Sequence, residues 1–466
     1  MNLELIAHAS LKIENKTNKV LITDPWYKSP IYWGSWFLCP EPHIDNEIYQ
    51  SPDFIYLTHW HFDHFDYKTI RGFKKNIKFF VPKFPSSIMK HELNNLGFNN
   101  VCEMTHNKEY FLDKNFSIIS HQVEHQDDSI LIVKVDEKII VNLNDAKPLP
   151  SSWKWLIKNF KKADFMFRSH SLAWSYPTKY IFDKQDEDLL KKETYMKEFM
   201  QCIIFLEPKY AVPFASYICH LHKETIQDNK HLTTPYELET YIKANYKAET
   251  LFKIMNPGGK YSDKNGFYDI KNYNFQNELE LLKKKYEPYL KKLYKKEENY
   301  KTDFILVKKY FEDFISKIGI LRLTLRNFIW IIDTADEKIR IDFYSKRVEL
   351  LKSFDENKTK FSAHIHVNKS VLYRSVKNYI FSNIDISKRW NVKISRGCVQ
   401  KHLYVTSLIS LYEARIIPIL PNLIKIRFII GYLKRLPELF DYFKVLLKLR
   451  KSVSEVRSYI SGVAQK

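Results

Sequence analysis

Three imidazoles and a carboxylate fall within six residues of this 466-residue chain, in the string His59-Trp60-His61-Phe62-Asp63-His64. The apolar run 54–57 ahead of it reads as a buried strand, which puts the string on the loop at that strand's C-terminal end. A strand end fixes the backbone, and the loop fans side chains toward a common point. His59 and His61 leave alternate positions on one side, while Asp63 and His64 turn toward a second point nearby. Imidazole nitrogen with carboxylate oxygen suits Zn²⁺, Fe²⁺ or Mn²⁺.

The length predicts two or three domains, and a 45% hydrophobic, 15% aromatic composition excludes global disorder. Five scattered cysteines form no C-x-x-C pair, which speaks against a disulfide framework and fits a reducing compartment. The first eight residues lack a basic region and a long apolar core, and no run of about 18 apolar residues occurs. A soluble, cytoplasmic protein is expected. Residues 1–250 carry 31 basic and 32 acidic side chains, whereas 251–466 carry 43 and 22. The net charge of +20 therefore lies in the C-terminal part, which suggests two bodies with different partners.

Short apolar runs at 3–6, 10–13, 20–23, 54–57, 78–81, 117–120, 130–135 and 139–143 have strand length and β-branched content. Helical patterns at 85–96, 153–160 and 185–205 fall among them, so residues 1–265 read as an α/β layer structure. Residues 266–301 form a charged helical linker with Pro288 as a kink. Residues 302–466 form a smaller, basic α+β domain, with a hairpin at 328–344, a strand at 361–367 and a helical end.

A dinuclear site needs more ligands than one loop supplies. His125 precedes the strand 130–135, and twenty residues on the strand 138–143 ends in Asn144-Asp145. A hairpin of that length brings His125 and Asp145 together on the edge that carries the first loop. An aspartate there can bridge two metals. His121 and Glu124 are rivals for the part of His125.

These motifs resemble the metallo-β-lactamase-fold superfamily. His8-Ala9-Ser10-Leu11-Lys12-Ile13-Glu14 and Ile22-Thr23-Asp24-Pro25-Trp26 resemble its ascorbate-6-phosphate lactonase-like branch. Gly34-Ser35-Trp36 with Pro40 and Pro42, Asn142-Leu143-Asn144-Asp145, Ala163-Asp164-Phe165, Ser175-Tyr176-Pro177 and Pro208 through Ser216 are closer still to one group. They resemble the metallo-β-lactamase-like part of CMP-N-acetylneuraminate hydroxylases. The resemblance covers roughly residues 1–265 and implies a four-layer αββα sandwich with two divalent metal ions at one edge. His59, His61 and His125 would hold one ion, Asp63, His64 and a late histidine the other, and Asp145 would bridge. Where the lactonase-like branch places the late histidine, this chain has Ala215. His220 is the nearest substitute, with His222 a further candidate.

The activity so implied is metal-dependent hydrolysis. A metal-bridging hydroxide would attack an ester, phosphodiester or lactone of a charged sugar, nucleotide or lipid, with Zn the first metal and Fe or Mn alternatives. Asp63 would orient that hydroxide and take its proton, and His8 and Asp24 would support the ligands. The alternative is a diiron oxygenase. A sialic-acid hydroxylase also needs a Rieske centre with Cys-x-His ligand pairs; no cysteine here has a histidine two residues on, so that activity does not carry over. Trp36, Trp174 and Tyr176 read as core residues that could also line a pocket.

In the basic part, 423–451 mixes Lys425, Arg427, Lys434 and Lys444 with Phe428, Ile430, Leu433 and Phe443. It reads as amphipathic helices covering the α+β core with the charges outward. The rival reading is a peripheral contact with an anionic membrane or acidic partner. The basic balance comes without a recognisable nucleic-acid module. His364 and His366 form a second H-x-H on one strand face, but no Asp-His follows and no third ligand is in view, so they read as a polar strand face.

Overall fold

The computed structural model describes residues 1–123, 128–181, 187–247 and 249–449. Two large sheets build its first part. One runs in the order Gly266–Tyr268, Lys260–Ser262, Asn2–Ala7, Ser10–Glu14, Val20–Thr23, Phe54–Tyr56, Lys78–Pro82, Val101–Met104. The other runs Leu251–Phe252, Tyr210–Phe214, Phe165–Ser169, Lys138–Asn144, Asp128–Val135, Phe116–Val123, Glu109–Asp113. Leu5, Leu11, Leu21 and Tyr56 of the first meet Ile118, Leu131, Phe165 and Val212 of the second in one buried core. The outer face of the first sheet packs Ile55 and Phe79 on Ile70, Met89 and Leu93 of its helices. The outer face of the second packs Ile132, Val141 and Met166 on Leu156, Phe199, Ile203 and Leu238. That is the four-layer αββα sandwich. Strands buried on both faces, such as Val20–Thr23, are continuous apolar runs for this reason.

Strand direction places the site. Val20–Thr23, Phe54–Tyr56, Lys78–Pro82 and Val101–Met104 pair in parallel, as do Lys138–Asn144, Phe165–Ser169, Tyr210–Phe214 and Leu251–Phe252. Asn2–Ala7 lies two antiparallel pairings from Val20–Thr23 and so points the same way. The residues that follow these strands are His8, Asp24, the 58–64 loop, Asp145, His170 and Ala215. Ligand chemistry in open α/β sheets gathers at such C-terminal ends.

Two features cross the boundaries drawn from the sequence. The helix Phe275–Glu298 does not bridge through solvent: Leu279, Leu282, Leu290 and Leu293 are buried against Phe37, Cys39, Cys219 and Leu221 of the sandwich. A third sheet, Tyr180–Ile181, Trp390–Ile394, Ala363–Val367, Ile329–Asp333, Lys338–Asp342, Arg347–Leu350, takes its first strand from the sandwich half. Its core packs Trp330, Ile332, Ile339 and Ile365 against Phe311, Phe314, Val371 and Ile409 of the helices around it.

The C-terminal helices Ile419–Leu423, Ile426–Leu433 and Leu436–Leu449 do not cover the α+β core as the sequence pattern suggests. They reach back to the sandwich. Arg427 forms an ion pair with Glu103 and donates to the carbonyls of Phe84, Pro85 and Ser86, and the Ser151 amide donates to Asp441 at 2.8 Å. Among the described residues no helix is long and apolar enough to cross a membrane.

Candidate metal centre

Asp24 is the fixed point of the loop after Phe54–Tyr56. Its Oδ1 accepts from the Thr58 amide at 2.7 Å and its Oδ2 from the Thr58 hydroxyl at 2.7 Å. The same Oδ2 lies 3.1 Å from His64 Nδ1, and Asn144 Nδ2 donates to Thr58 Oγ1 at 2.9 Å. Asn144 sits at φ 53°, a left-handed conformation that asparagine tolerates better than most residues, and so turns the chain into Asp145. With Nδ1 tied to Asp24, His64 presents Nε2 to Asp63 Oδ2 at 3.2 Å and to Asp145 Oδ1 at 3.7 Å. An imidazole oriented through its far nitrogen by a carboxylate is the arrangement metal-binding histidines use.

Around this point the structure gathers His59, His61, Asp63, His64 and Asp145. His59 Nε2 is 2.8 Å from His61 Nδ1. One oxygen or nitrogen of each of His59, His64 and Asp145 lies within 4.8 Å of the others, and the same holds for His8, Asp63 and His64. Asp63 Oδ1 accepts from the Tyr32 hydroxyl at 2.7 Å, leaving Oδ2 to face His8 Nε2 at 3.4 Å. His8, His59, Asp63 and His64 are all buried. Among the described residues, His8 Nδ1 and Nε2, His64 Nε2 and Asp145 Oδ1 are buried with no hydrogen-bond partner. Buried polar atoms left bare are costly, and a cation among them would satisfy the set. The donor chemistry thus fits a divalent metal ion.

Electrostatics agree. Burial holds His59 well below the usual imidazole range, helped by the charge on His64, and lowers His61 likewise. His64 moves the other way: burial would lower it, but Asp63 and Asp145 hold it well above. Asp63 is correspondingly held low by His64 and His8 in spite of its burial. The carboxylates of Asp63 and Asp145 thus favour positive charge at this point, which a bound metal cation would supply.

Other expected ligands are not among these residues. His125 and its rival Glu124 fall outside the described residues. His121 is under the helical layer, stacked on Trp155 at 4.3 Å with Nδ1 2.7 Å from Asn107 Oδ1. His220 does not join the cluster. The Trp36 ring stands between, 6.4 Å from His8 and 6.0 Å from His220, and His220 Nδ1 lies 3.3 Å from the Ser35 carbonyl. His222 turns outward to Glu297 at 3.4 Å. At the departure position, Ala215 donates its amide to the His8 carbonyl at 2.9 Å. A methyl there leaves His8 the space beside Asp63.

A cavity opens from this centre, lined by Trp36, Lys147, Arg168, His170, Trp174 and Ser216 beside His8, Asp63 and Asp145. Trp36 and Trp174 are thus wall residues, whereas Tyr176 is buried in the third core. Sequence reasoning passed over Tyr32, Lys147, Arg168 and His170. Arg168 lies near the end of the strand Phe165–Ser169 and His170 follows it, the same strand-end placement that marks His59.

No family model matches the chain. It is 28% identical over 237 residues to a protein of Mycolicibacterium smegmatis named as a Rieske 2Fe-2S iron–sulfur protein, covering 48% of this chain and 45% of that one. To the cytidine monophosphate-N-acetylneuraminic acid hydroxylase of Danio rerio it is 24% identical over 259 residues, 52% of this chain and 43% of the hydroxylase. The chain therefore spans about half the length of these curated relatives. Among solved structures, the isothiocyanate hydrolase from Delia radicum gut bacteria superposes on 56% of this chain and 98% of its own, at 17% identity and a TM-score of 0.39. A likeness that low adds nothing to what the sheets themselves show. Over about half of its length, this chain resembles the metallo-β-lactamase-fold branch that includes the CMP-N-acetylneuraminate hydroxylases.

Proposed function

We propose that this protein is a dinuclear metal-dependent hydrolase acting on an anionic small molecule with an ester, phosphodiester or lactone bond, of the charged-sugar, nucleotide or lipid type. One observation carries the reading: bare, buried ligand atoms of His8, His64 and Asp145 converge on the space beside Asp63. His59, His61 and His125 would hold one ion, Asp63, His64 and His8 the other, and Asp145 would bridge; Zn²⁺ suits these donors first, Fe²⁺ or Mn²⁺ next. His8 here takes the part the sequence gave to His220. Bound, the ions would acidify a water between them and stabilise the oxyanion formed on attack.

The chain's own groups do the rest. Asp63 would orient the attacking water and draw off its proton, while Tyr32 holds Oδ1 still. Lys147, Arg168 and Glu198 give the cavity charged walls of both signs, and Trp174 offers a flat apolar face beside them. The test is metal content by plasma mass spectrometry together with turnover of chromogenic phosphodiesters, esters and lactones. His61→Ala/Asp63→Ala should lose metal and activity together; turnover retained without metal would sink the proposal.

A diiron oxygenase served by a separate reductase is the second reading, favoured by the similarity to hydroxylases. About two irons per chain with an absorption band that bleaches on reduction would put it first. A peripheral contact with an anionic membrane belongs to the same proposal. It is supported by the exposure of Leu420, Ile424, Ile426, Leu433, Phe440 and Phe443 beside the exposed Lys434 and Lys444.

A further inference from the structure

The second H-x-H of the chain acquires a third partner in the fold. His364 and His366 lie on Ala363–Val367, two residues apart and so on one face of the strand. The neighbouring strand Ile329–Asp333 pairs with it in parallel, with Asp333 in register with His366 and Ile331 with His364. Asp333 therefore stands on the same face, beside both rings. Its position 31 residues before His364 is why the sequence showed no third ligand.

We propose that Asp333, His364 and His366 form a metal site separate from the sandwich centre, which takes a divalent transition metal of the zinc or ferrous class. His364 Nε2 lies 3.4 Å from Asp333 Oδ2, His366 Nδ1 lies 3.8 Å from the same oxygen, and the three ligand atoms are within 4.8 Å of one another. These gaps are wide for hydrogen bonds. They are close to the edge of about 3.4 Å that a tetrahedral ion with bonds near 2.05 Å imposes between its ligands. Two imidazoles and one carboxylate favour zinc or ferrous iron over the oxygen-seeking Mg²⁺ and Ca²⁺.

The surroundings suit the assignment. His364 is 3% exposed and wedged between Phe354 and Phe361, ring centroids 4.8 and 5.7 Å away, so its ring is held in place. Its Nδ1 has no hydrogen-bond partner among the described residues and looks toward the Glu356 carboxylate at 3.9 Å, the outer partner a ligating imidazole uses. The Ala335 amide donates to Asp333 Oδ1 at 2.8 Å, which turns Oδ2 to the histidines. Lys338 meets Oδ2 at 3.5 Å, and with about a third of its side chain exposed it has solvent to turn into. His366 is 53% exposed and forms the open rim. Three protein ligands with an open side leave coordination positions for water or a small ligand.

The experiment counts zinc on the full chain. Protein stripped with a chelator is titrated with Zn²⁺ against a chromophoric indicator, as wild type, as His366→Ala, as Asp333→Asn and as His61→Ala/Asp63→Ala. His366 is exposed enough for its loss to spare the fold, and Asp333→Asn keeps the shape of the side chain. Each should bind one zinc fewer than wild type, or bind it at least 100-fold more weakly. The His61→Ala/Asp63→Ala protein should keep the equivalent that those two lose. An unchanged zinc count and affinity in either His366→Ala or Asp333→Asn overturns the proposal, whatever the sandwich centre binds.

Discussion

Asp24 shows how much of the centre rests on a residue outside it. Its two oxygens fix the Thr58 amide, the Thr58 hydroxyl and the His64 ring. Asp24→Asn keeps the volume but turns an amide N–H₂ toward groups that themselves donate. The fold should persist while zinc affinity, read by chelator competition, falls about 10- to 100-fold; unchanged affinity would mean that His64 is oriented by something else. The string His59 to His64 was legible in the sequence because one loop carries it. His8 was legible only as a residue supporting the ligands; that it faces Asp63 Oδ2 directly depends on how the end of Asn2–Ala7 meets the loop after Phe54–Tyr56. The place of His220 was equally hidden: it pairs with Trp36, 184 residues away, whose ring lies 6.0 Å from it and 6.4 Å from His8. Asp333 is the same lesson, a ligand supplied by a neighbouring strand.

At the scale of elements, the helix Phe275–Glu298 ends in a buried ion group. Arg389 donates to Glu297 at 2.6 and 3.0 Å, to Glu224 at 2.8 Å and to the Trp33 carbonyl at 2.7 Å. Burial would raise the Glu297 carboxyl, but His222 and Arg389 bring it down from 4.5 to about 2. A depressed carboxyl stabilises the fold above its unfolded value and loses that contribution as pH falls through the folded one. Glu297 should thus contribute about 3 kcal/mol at neutral pH, lost between about pH 4.5 and 2. Glu297→Gln should lower stability at pH 7 by that order and flatten its acid limb, as urea melts at stepped pH would show. A wild-type slope retained in the variant would refute the assignment. The strands were legible as apolar runs and the helix as a charged pattern with a leucine stripe. What the stripe packs on was not, since Phe37, Cys39, Cys219 and Leu221 are remote in sequence.

For the whole molecule, the charge asymmetry ends in a surface. The C-terminal helices expose Leu420, Ile424 and Ile426 at 73–82% beside cationic side chains. Wild type should co-sediment with anionic vesicles at low salt and release as salt rises, and Lys434→Glu/Lys444→Glu should bind several-fold less. No pelleting at low salt would count against a membrane contact. The change in composition suggested two bodies. Their interlocking was not legible, because Tyr180–Ile181 pairs with a strand that begins at Trp390.

The cavity wall is held from the far side of that interlock. Trp174 and Ser175 both donate to Asp385, and the Trp390 indole donates to Ser175 at 3.1 Å. Trp174 and Asp385 are 211 residues apart. A ribosome adding about 5–20 residues per second delivers Asp385 roughly 10–40 s after Trp174. During synthesis the loop of histidines is therefore made while the wall beside it still lacks its clasp.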